Sequence, residues 1–521
     1  MRFPNEPFAT APTLLLTAPH SDLLRFLCEA HRLVVAEPTL LAAVDRDLDA
    51  HGKRKKALRL ADARWAERQS HTLPGFSSEA TALDPQTLTL LPGRPRTSAY
   101  VVLVFLLLRG YGGGFKRNDV TTLAQESVTL RIFFHNLGCT MPGRSTLTEL
   151  VNAVSNETRA RVLDAQIRQI LGAGWDDFGV MLQDSTAVEG NSEWPTDSRT
   201  MVTLVARILR VGARLDRVGL PVLEADKIAD LHVGMAAVAR EMELDPGKKK
   251  TRARTRKRRY KKLLEQGSKV HALLAAPLML VAATCATTDL CPSRRAAAER
   301  AVQRLRDDHD ALAKVLDACT RRVMRDEKVL VEGKVLSTSD PDVGFIAKGQ
   351  RDPVIGYKPQ LARSAAGFIT GLRVPRGNAS DSGQFAPMFR DVQRRTGVTP
   401  RVVSLDDGYA SAANVALMRK DGVEVVSING SKGKKLTAKR DWESEAYEEA
   451  RDLRSAIESL MSTMKQGFEF GEVARRGLEK VEGELLEKVL AYNLCRMALA
   501  RTSATEAALA ADAPSVQALA A

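Results

Sequence analysis

The stretch VVSLDDGYAS, residues 402–411, decides the reading of the fold. A short apolar run ends in two aspartates, and Gly408-Tyr409 then turns the chain. A strand that stays apolar to its last residue and then turns delivers a carboxylate to the carboxyl edge of a sheet, where ligands bind in open α/β sheets. Upstream, FGVMLQDST (178–186) has the same context and ends in Asp184. If the two strands are parallel neighbours, both carboxylates project into one crevice. Carboxylates held together in apolar surroundings repel unless a cation lies between them, and hard oxygen ligands suit Mg²⁺ or Mn²⁺. Taken one at a time, each aspartate reads more simply as the cap of the turn that follows it.

A third carboxylate should come from a helix facing the sheet. In RDLRSAIESLMSTMKQG (451–467), Leu453, Ile457, Leu460, Met461 and Met464 form one apolar stripe. Arg454, Glu458 and Lys465 share the stripe beside it. Glu458 then stands at the border of the buried face, within reach of a metal at the sheet edge, and Arg454 and Lys465 are placed to hold phosphates. Read without the strands, Arg454 and Glu458 are an ordinary surface pair one turn apart.

The 521 residues are enough for two to four domains. Lys and Arg exceed Asp and Glu by 77 to 63, a formal charge of +14, which favours a polyanion partner. The densest segment is KKKTRARTRKRRYKK (248–262), carrying Lys248, Lys249, Lys250, Arg252, Arg254, Arg256, Lys257, Arg258, Arg259, Lys261 and Lys262. Phosphates would relieve its self-repulsion and release counterions, giving salt-dependent, sequence-independent affinity. Tyr260 is placed to stack on a base. The plainer alternative is a solvated loop between helices. Six scattered cysteines form no CxxC pair, so neither a zinc site nor a disulfide framework is expected, and a reducing cytoplasm fits. MRFPNEPFAT has no signal-peptide pattern. The apolar runs at 100–108 and 272–286 read as buried strand or helix, too short to span a bilayer, so no membrane partner is expected.

Along the chain, 1–97 reads as an N-terminal helical region and linker. Residues 98–175 read as a helical DNA-binding or dimerisation domain, with a capped helix start at Thr146 and Glu149; a helix-turn-helix and a plain bundle are both open. Residues 201–328 are helical and charged. From about 329 the pattern turns to strands at KVLSTSD, PVIGYKPQLARS, GFITGLRVPRG, VTPRVVSL and VEVVSI, interleaved with helices and a Gly/Lys loop, NGSKGKK. Helices over about 443–466 and 477–500 close the ordered chain, and 501–521 reads as a disordered tail.

In order and context these motifs resemble those of bacterial insertion-sequence transposases with an RNase H-like DDE catalytic domain. DSTAVEGNSEWPTDSRTM (184–201) is similar to their first motif, LDDGYAS to their second, and Arg454, Glu458 and Lys465 to their Y-R-E-K signature. The signature's tyrosine position falls on Arg451, with Tyr447 one turn earlier. The ISNCY-like group is the most similar. The resemblance implies an RNase H-like mixed sheet flanked by helices, built from 176–200 and 329–500, interrupted by a helical insertion and preceded by an all-α region. It implies Asp184, Asp406 and Glu458 as catalytic metal ligands for two Mg²⁺ or Mn²⁺ ions, with Asp407 in the variable slot. It further implies cleavage at transposon ends and strand transfer into target double-stranded DNA by a homodimer, in the bacterial cytoplasm at the nucleoid. A nuclease of the same fold that cuts without joining and a non-catalytic DNA-binding derivative are the alternatives.

Overall fold

The computed structural model describes residues 22–70, 97–111, 127–140, 142–192, 194, 196–244, 251–347 and 352–512. The chain divides into two compact units. One takes its described residues from 1–51, 94–191 and 346–521, and the other from 52–93 and 192–345. The helix Thr39–Ser70 begins in the first and ends in the second.

In the first unit, β1 (Val180–Ser185) is the middle strand of a five-stranded mixed sheet. The chain continues through β2 (Val188–Glu189) into the second unit and returns along β3 (Gly344–Ile346). β4 (Val354–Tyr357) pairs with β2. β5 (Gln360–Arg363), β6 (Ile369–Arg373), β7 (Val402–Leu405) and β8 (Val425–Ile428) complete the main sheet in the order β6-β5-β1-β7-β8. β5 runs antiparallel to β1 and β6, while β1, β7 and β8 are parallel. The short apolar runs form strands because their branched side chains pack well on a pleated surface. Side-chain alternation gives the two faces different tasks. Met181, Val403 and Leu405 pack with Phe385, Met388 and Phe389 of the helix Asp381–Thr396 and with Met418 of the helix Ala412–Lys420. Leu182, Asp184 and Ser404 therefore point to the opposite face, where the helix Arg454–Gly467 packs on β1.

Upstream of β1, the described residues of the same unit are helical. The apolar run at 100–108 lies in the helix Ala99–Gly110, buried except at Arg109. Gly143 opens the helix Arg144–Ala153 without a side-chain cap, so Thr146 and Glu149 do not start it; Glu149 Oε1 instead lies 2.6 Å from His51 Nε2. The helix Asn156–Gly172, capped by Ser155, buries one face that includes Val162, Leu163, Ile167 and Ile170. Its exposed side carries Glu157, Arg161 and Arg168. The long helix Leu478–Asp512 is buried on all sides over 483–494. Asn493 clamps the edge strand β6, its Oδ1 accepting from Ile369 N and its Nδ2 donating to Ile369 O, both at 2.9 Å. Glu487 gathers Arg109 (2.6 Å), Arg159 (2.8 Å) and Arg475 (3.3 Å).

The ends of several elements differ from the sequence reading. The last helix continues to Asp512 instead of stopping at 500, and Arg501, just past that point, pairs with the buried Glu29 of the helix Asp22–Ala36 at 2.7 Å; residues 513–521 lie outside the described residues. Residues 443–466 are not one helix: the chain breaks at Leu453 between Glu445–Asp452 and Arg454–Gly467. KVLSTSD forms no strand, and NGSKGKK contributes a short helix, Ser431–Leu436.

The second unit is a helical bundle of Asp197–Arg217, Ala225–Leu244, Arg252–Thr287 and Pro292–Cys319 around a core that includes Leu204, Ile208, Leu263, Leu274, Leu305 and Leu312. The buried carboxylate of Asp308 is paired there with Arg207. The apolar run at 272–286, expected to be buried, is the second half of a 36-residue helix and keeps Met279 82% and Leu280 64% exposed. That helix is long and apolar enough to cross a membrane by length and composition. The sequence reading missed this because the basic and apolar stretches were not joined into one element.

Candidate active site

β1 and β7 place the two strand-end aspartates side by side. Their parallel register pairs Leu182 with Ser404, so Asp184, still on β1, stands level with Asp406, the first residue beyond β7. Asp184 Oδ1 accepts from Ser185 N at 2.7 Å, and Asp406 Oδ1 accepts from Gly408 N at 3.0 Å. Each carboxylate is thus fixed through one oxygen and turns the other toward Arg454. Gly408 leaves room for both carboxylates: a Cβ there would lie 3.0 Å from Asp406 Oδ1 and from Asp381 Oδ2, tight enough to push them aside.

The second aspartate of the pair turns away. Asp407 Oδ1 accepts from Lys432 N (2.8 Å) and Gly433 N (3.0 Å), capping the first turn of Ser431–Leu436. It can approach because Gly430 adopts φ +117° and has no side chain; a Cβ there would lie 2.6 Å from that of Asp407.

The helix Arg454–Gly467 buries Ile457, Leu460, Met461 and Met464 and carries Arg454, Glu458 and Lys465 beside that stripe. The Arg454 guanidinium lies among all three candidate carboxylates. Its Nη2 is 3.7 Å from Asp184 Oδ2 and 4.0 Å from Asp406 Oδ2, and its Nε donates to Glu458 Oε1 at 3.3 Å. Asp184 is 11% exposed and Glu458 61%, so the cluster is closed at the sheet and open at the helix. Lys465 lies two turns further along, half-buried. Among the described residues no three His, Cys, Asp or Glu side chains stand close enough to hold one ion. The three acidic groups are instead spread around a guanidinium. Tyr447 is buried and away from this cluster: its hydroxyl donates to Ile428 O (2.9 Å) and accepts from Ile428 N (3.1 Å), fastening the end of β8.

Beneath the carboxylates lies a polar network that the sequence reading missed. Asp381, at the start of its helix, accepts from Lys358 Nζ (2.7 Å) and Gln360 Nε2 (2.9 Å), and the Tyr409 hydroxyl donates to Gln360 Oε1. Burial pushes the Asp381 carboxyl up, but the hydrogen bonds from Lys358 and Gln360 outweigh it and hold the group below its ordinary value. Burial, reinforced by Asp381, Asp184 and Asp406, raises the Tyr409 phenol well above its ordinary value, so it remains a proton donor. The available signal was a glutamine inside the short strand QLAR.

In the second unit, the basic run is helical from Arg252; Lys248, Lys249 and Lys250 lie outside the described residues. Arg252, Arg254, Arg256, Arg258, Lys261 and Lys262 line the helix, and all six are exposed. Lys257 pairs with Asp326 at 2.6 Å, and Arg259 lies 3.6 Å from Glu241. Tyr260 is not placed to stack on a base: it is 3% exposed, packed in the bundle core with Arg256 over its ring. None of the six cysteines in the chain is disulfide-bonded.

Parallel strand ends of a mixed sheet that bring two aspartates together define an α/β protein with a candidate acidic site. Residues 324–494 match the family described as transposase DDE domain, which supports a nucleic-acid-cleaving transposase domain over this part of the chain. The match includes Asp406, Arg454, Glu458 and Lys465 and begins downstream of Asp184. No curated protein and no solved structure matches the chain.

Proposed function

We propose that the chain is a DNA transposase of the DDE type, with an RNase H-like catalytic domain and Asp184, Asp406 and Glu458 as its catalytic carboxylates. The observation that carries this reading is the convergence of these three side chains, from two parallel strands and a facing helix, on one positive group. The strand order and directions support the RNase H-like assignment, with the second unit inserted after β2. Acceptor-only oxygens gathered around a cation fit Mg²⁺ or Mn²⁺, and Asp184, Asp406 and Glu458 would hold two such ions. Such ions, held there, would activate a water or a DNA 3′-hydroxyl and would offset charge on the leaving oxygen of an in-line displacement at phosphorus. The chain's own residues do the placing: Ser185 N and Gly408 N fix the two aspartates, and the open side at Glu458 admits the phosphodiester. Lys465 and the exposed basic helix residues hold DNA backbone.

The partners of this reading are transposon ends and target DNA, bridged by a homodimer whose two sites act on two ends, within the bacterial cytoplasm at the nucleoid; the ISNCY-like group fits best by motif. Incubation of the protein and Mg²⁺ with labelled end DNA and a target plasmid tests it. Strand-joined product is expected from the wild type and none from Asp184→Asn. Nicked ends without joining would instead identify a nuclease of the same fold, and binding without either product a non-catalytic derivative.

A further inference from the structure

Arg454 touches all three candidate carboxylates. Its guanidinium contacts both strand-end aspartates through the same nitrogen and Glu458 through another. A guanidinium keeps its charge at any working pH, so it offsets the acidic cluster permanently while it stays there. A divalent ion bound to the same oxygens would approach to about 2.1 Å. Guanidinium and ion would then repel at contact distance, and one must leave. Arg454 is able to leave. It is the first residue of its helix, directly after the break at Leu453, so its side chain can swing without moving the turn that carries Glu458. It is also held at distances of 3.3–4.0 Å and not by a close bidentate fork.

We propose that Arg454 is the internal counter-cation of the site, and that loading of divalent cation expels its guanidinium, which then takes a DNA phosphate. This rests on the transposase reading and adds a coupling to it: cation and DNA are taken up together because each provides what the other's arrival displaces. By linkage the coupling acts equally in both directions.

Mn²⁺ titration followed by the decline of the free-ion electron paramagnetic resonance signal tests the idea. Without DNA, Arg454→Gln should bind Mn²⁺ about tenfold tighter than wild type, the removal of one unit of contact repulsion. Arg454→Lys, which keeps the charge but has no counterpart of Nε, should fall between them. A short duplex should raise Mn²⁺ affinity more in the wild type than in Arg454→Gln. Thermal melting without metal should show Arg454→Gln below wild type and restored by Mn²⁺. Equal Mn²⁺ affinity for wild type, Arg454→Gln and Arg454→Lys, all abolished by Asp184→Asn, overturns the counter-cation role and leaves the transposase reading standing. Absence of any Asp184-dependent Mn²⁺ binding overturns both. If Arg454→Gln does not fold, the wild-type and Arg454→Lys comparison decides alone.

Discussion

At the residue scale, the adjacent aspartates 406 and 407 have separate tasks. Asp406 faces Arg454, while Asp407 caps a helix. Asp406→Asn should abolish Mg²⁺-dependent DNA cleavage with little change in melting temperature. Asp407→Asn should leave cleavage within a few-fold of wild type and cost about 1 kcal/mol or less of stability, since asparagine also caps; Asp407→Ala should cost about 1 kcal/mol. Loss of cleavage in Asp407→Asn but not in Asp406→Asn would reverse the assignment. Tyr447 allows a similar separation. Tyr447→Phe removes both hydroxyl hydrogen bonds to Ile428 and should lower stability by roughly 1–2 kcal/mol in denaturant melts without lowering the activity of the folded fraction.

At the scale of elements, the helix Leu478–Asp512 is the pivot of its unit, and Glu487 is the charge that three arginines share. Glu487→Gln leaves Arg159 buried without its counter-charge and should cost roughly 3–5 kcal/mol, read from chemical denaturation. The basic helix Arg252–Thr287 divides its charge unequally. Replacing exposed Arg254, Arg258 and Lys261 by Gln should flatten the plot of log affinity for DNA against log salt, by about 0.9 for each phosphate left unneutralised. Lys257→Gln, already paired with Asp326, should change that slope least. What was legible in the sequence follows the same division. The strands carrying Asp184 and Asp406 announced themselves because an apolar run stops abruptly at a charge, and Glu458 because helical spacing fixes its neighbours. Tyr260 was misread because one aromatic among eleven basic residues looks exposed until its helix partners are known. The Lys358–Gln360–Asp381–Tyr409 network was invisible because its members come from separate segments and meet only when β5 lies beside β1.

At the scale of the whole molecule, the first unit is tied together across its sequence. Arg501 near the end of the described chain reaches Glu29 near its start, and that carboxylate is fully buried with Arg32 as another partner. Truncation after Ala500 should therefore destabilise the protein by roughly 1–3 kcal/mol, the worth of hydrogen bonds to a buried charge. An unchanged melting temperature would show that the last helical turns are dispensable.

The position of β1 has a consequence for the protein's synthesis. β1 is the central strand, yet both of its sheet neighbours, β5 and β7, are encoded after the entire inserted unit. At about 5–20 residues per second, roughly ten to thirty seconds of translation separate Ser185 from Gln360. Helical bundles with local contacts fold in milliseconds or less, so the inserted bundle is complete while β1 still has two unpaired edges on the ribosome. The middle of the main sheet is thus among the first strands made and must wait longest for its neighbours, and nascent chains stalled before residue 360 should be cut by protease near β1 while the bundle resists.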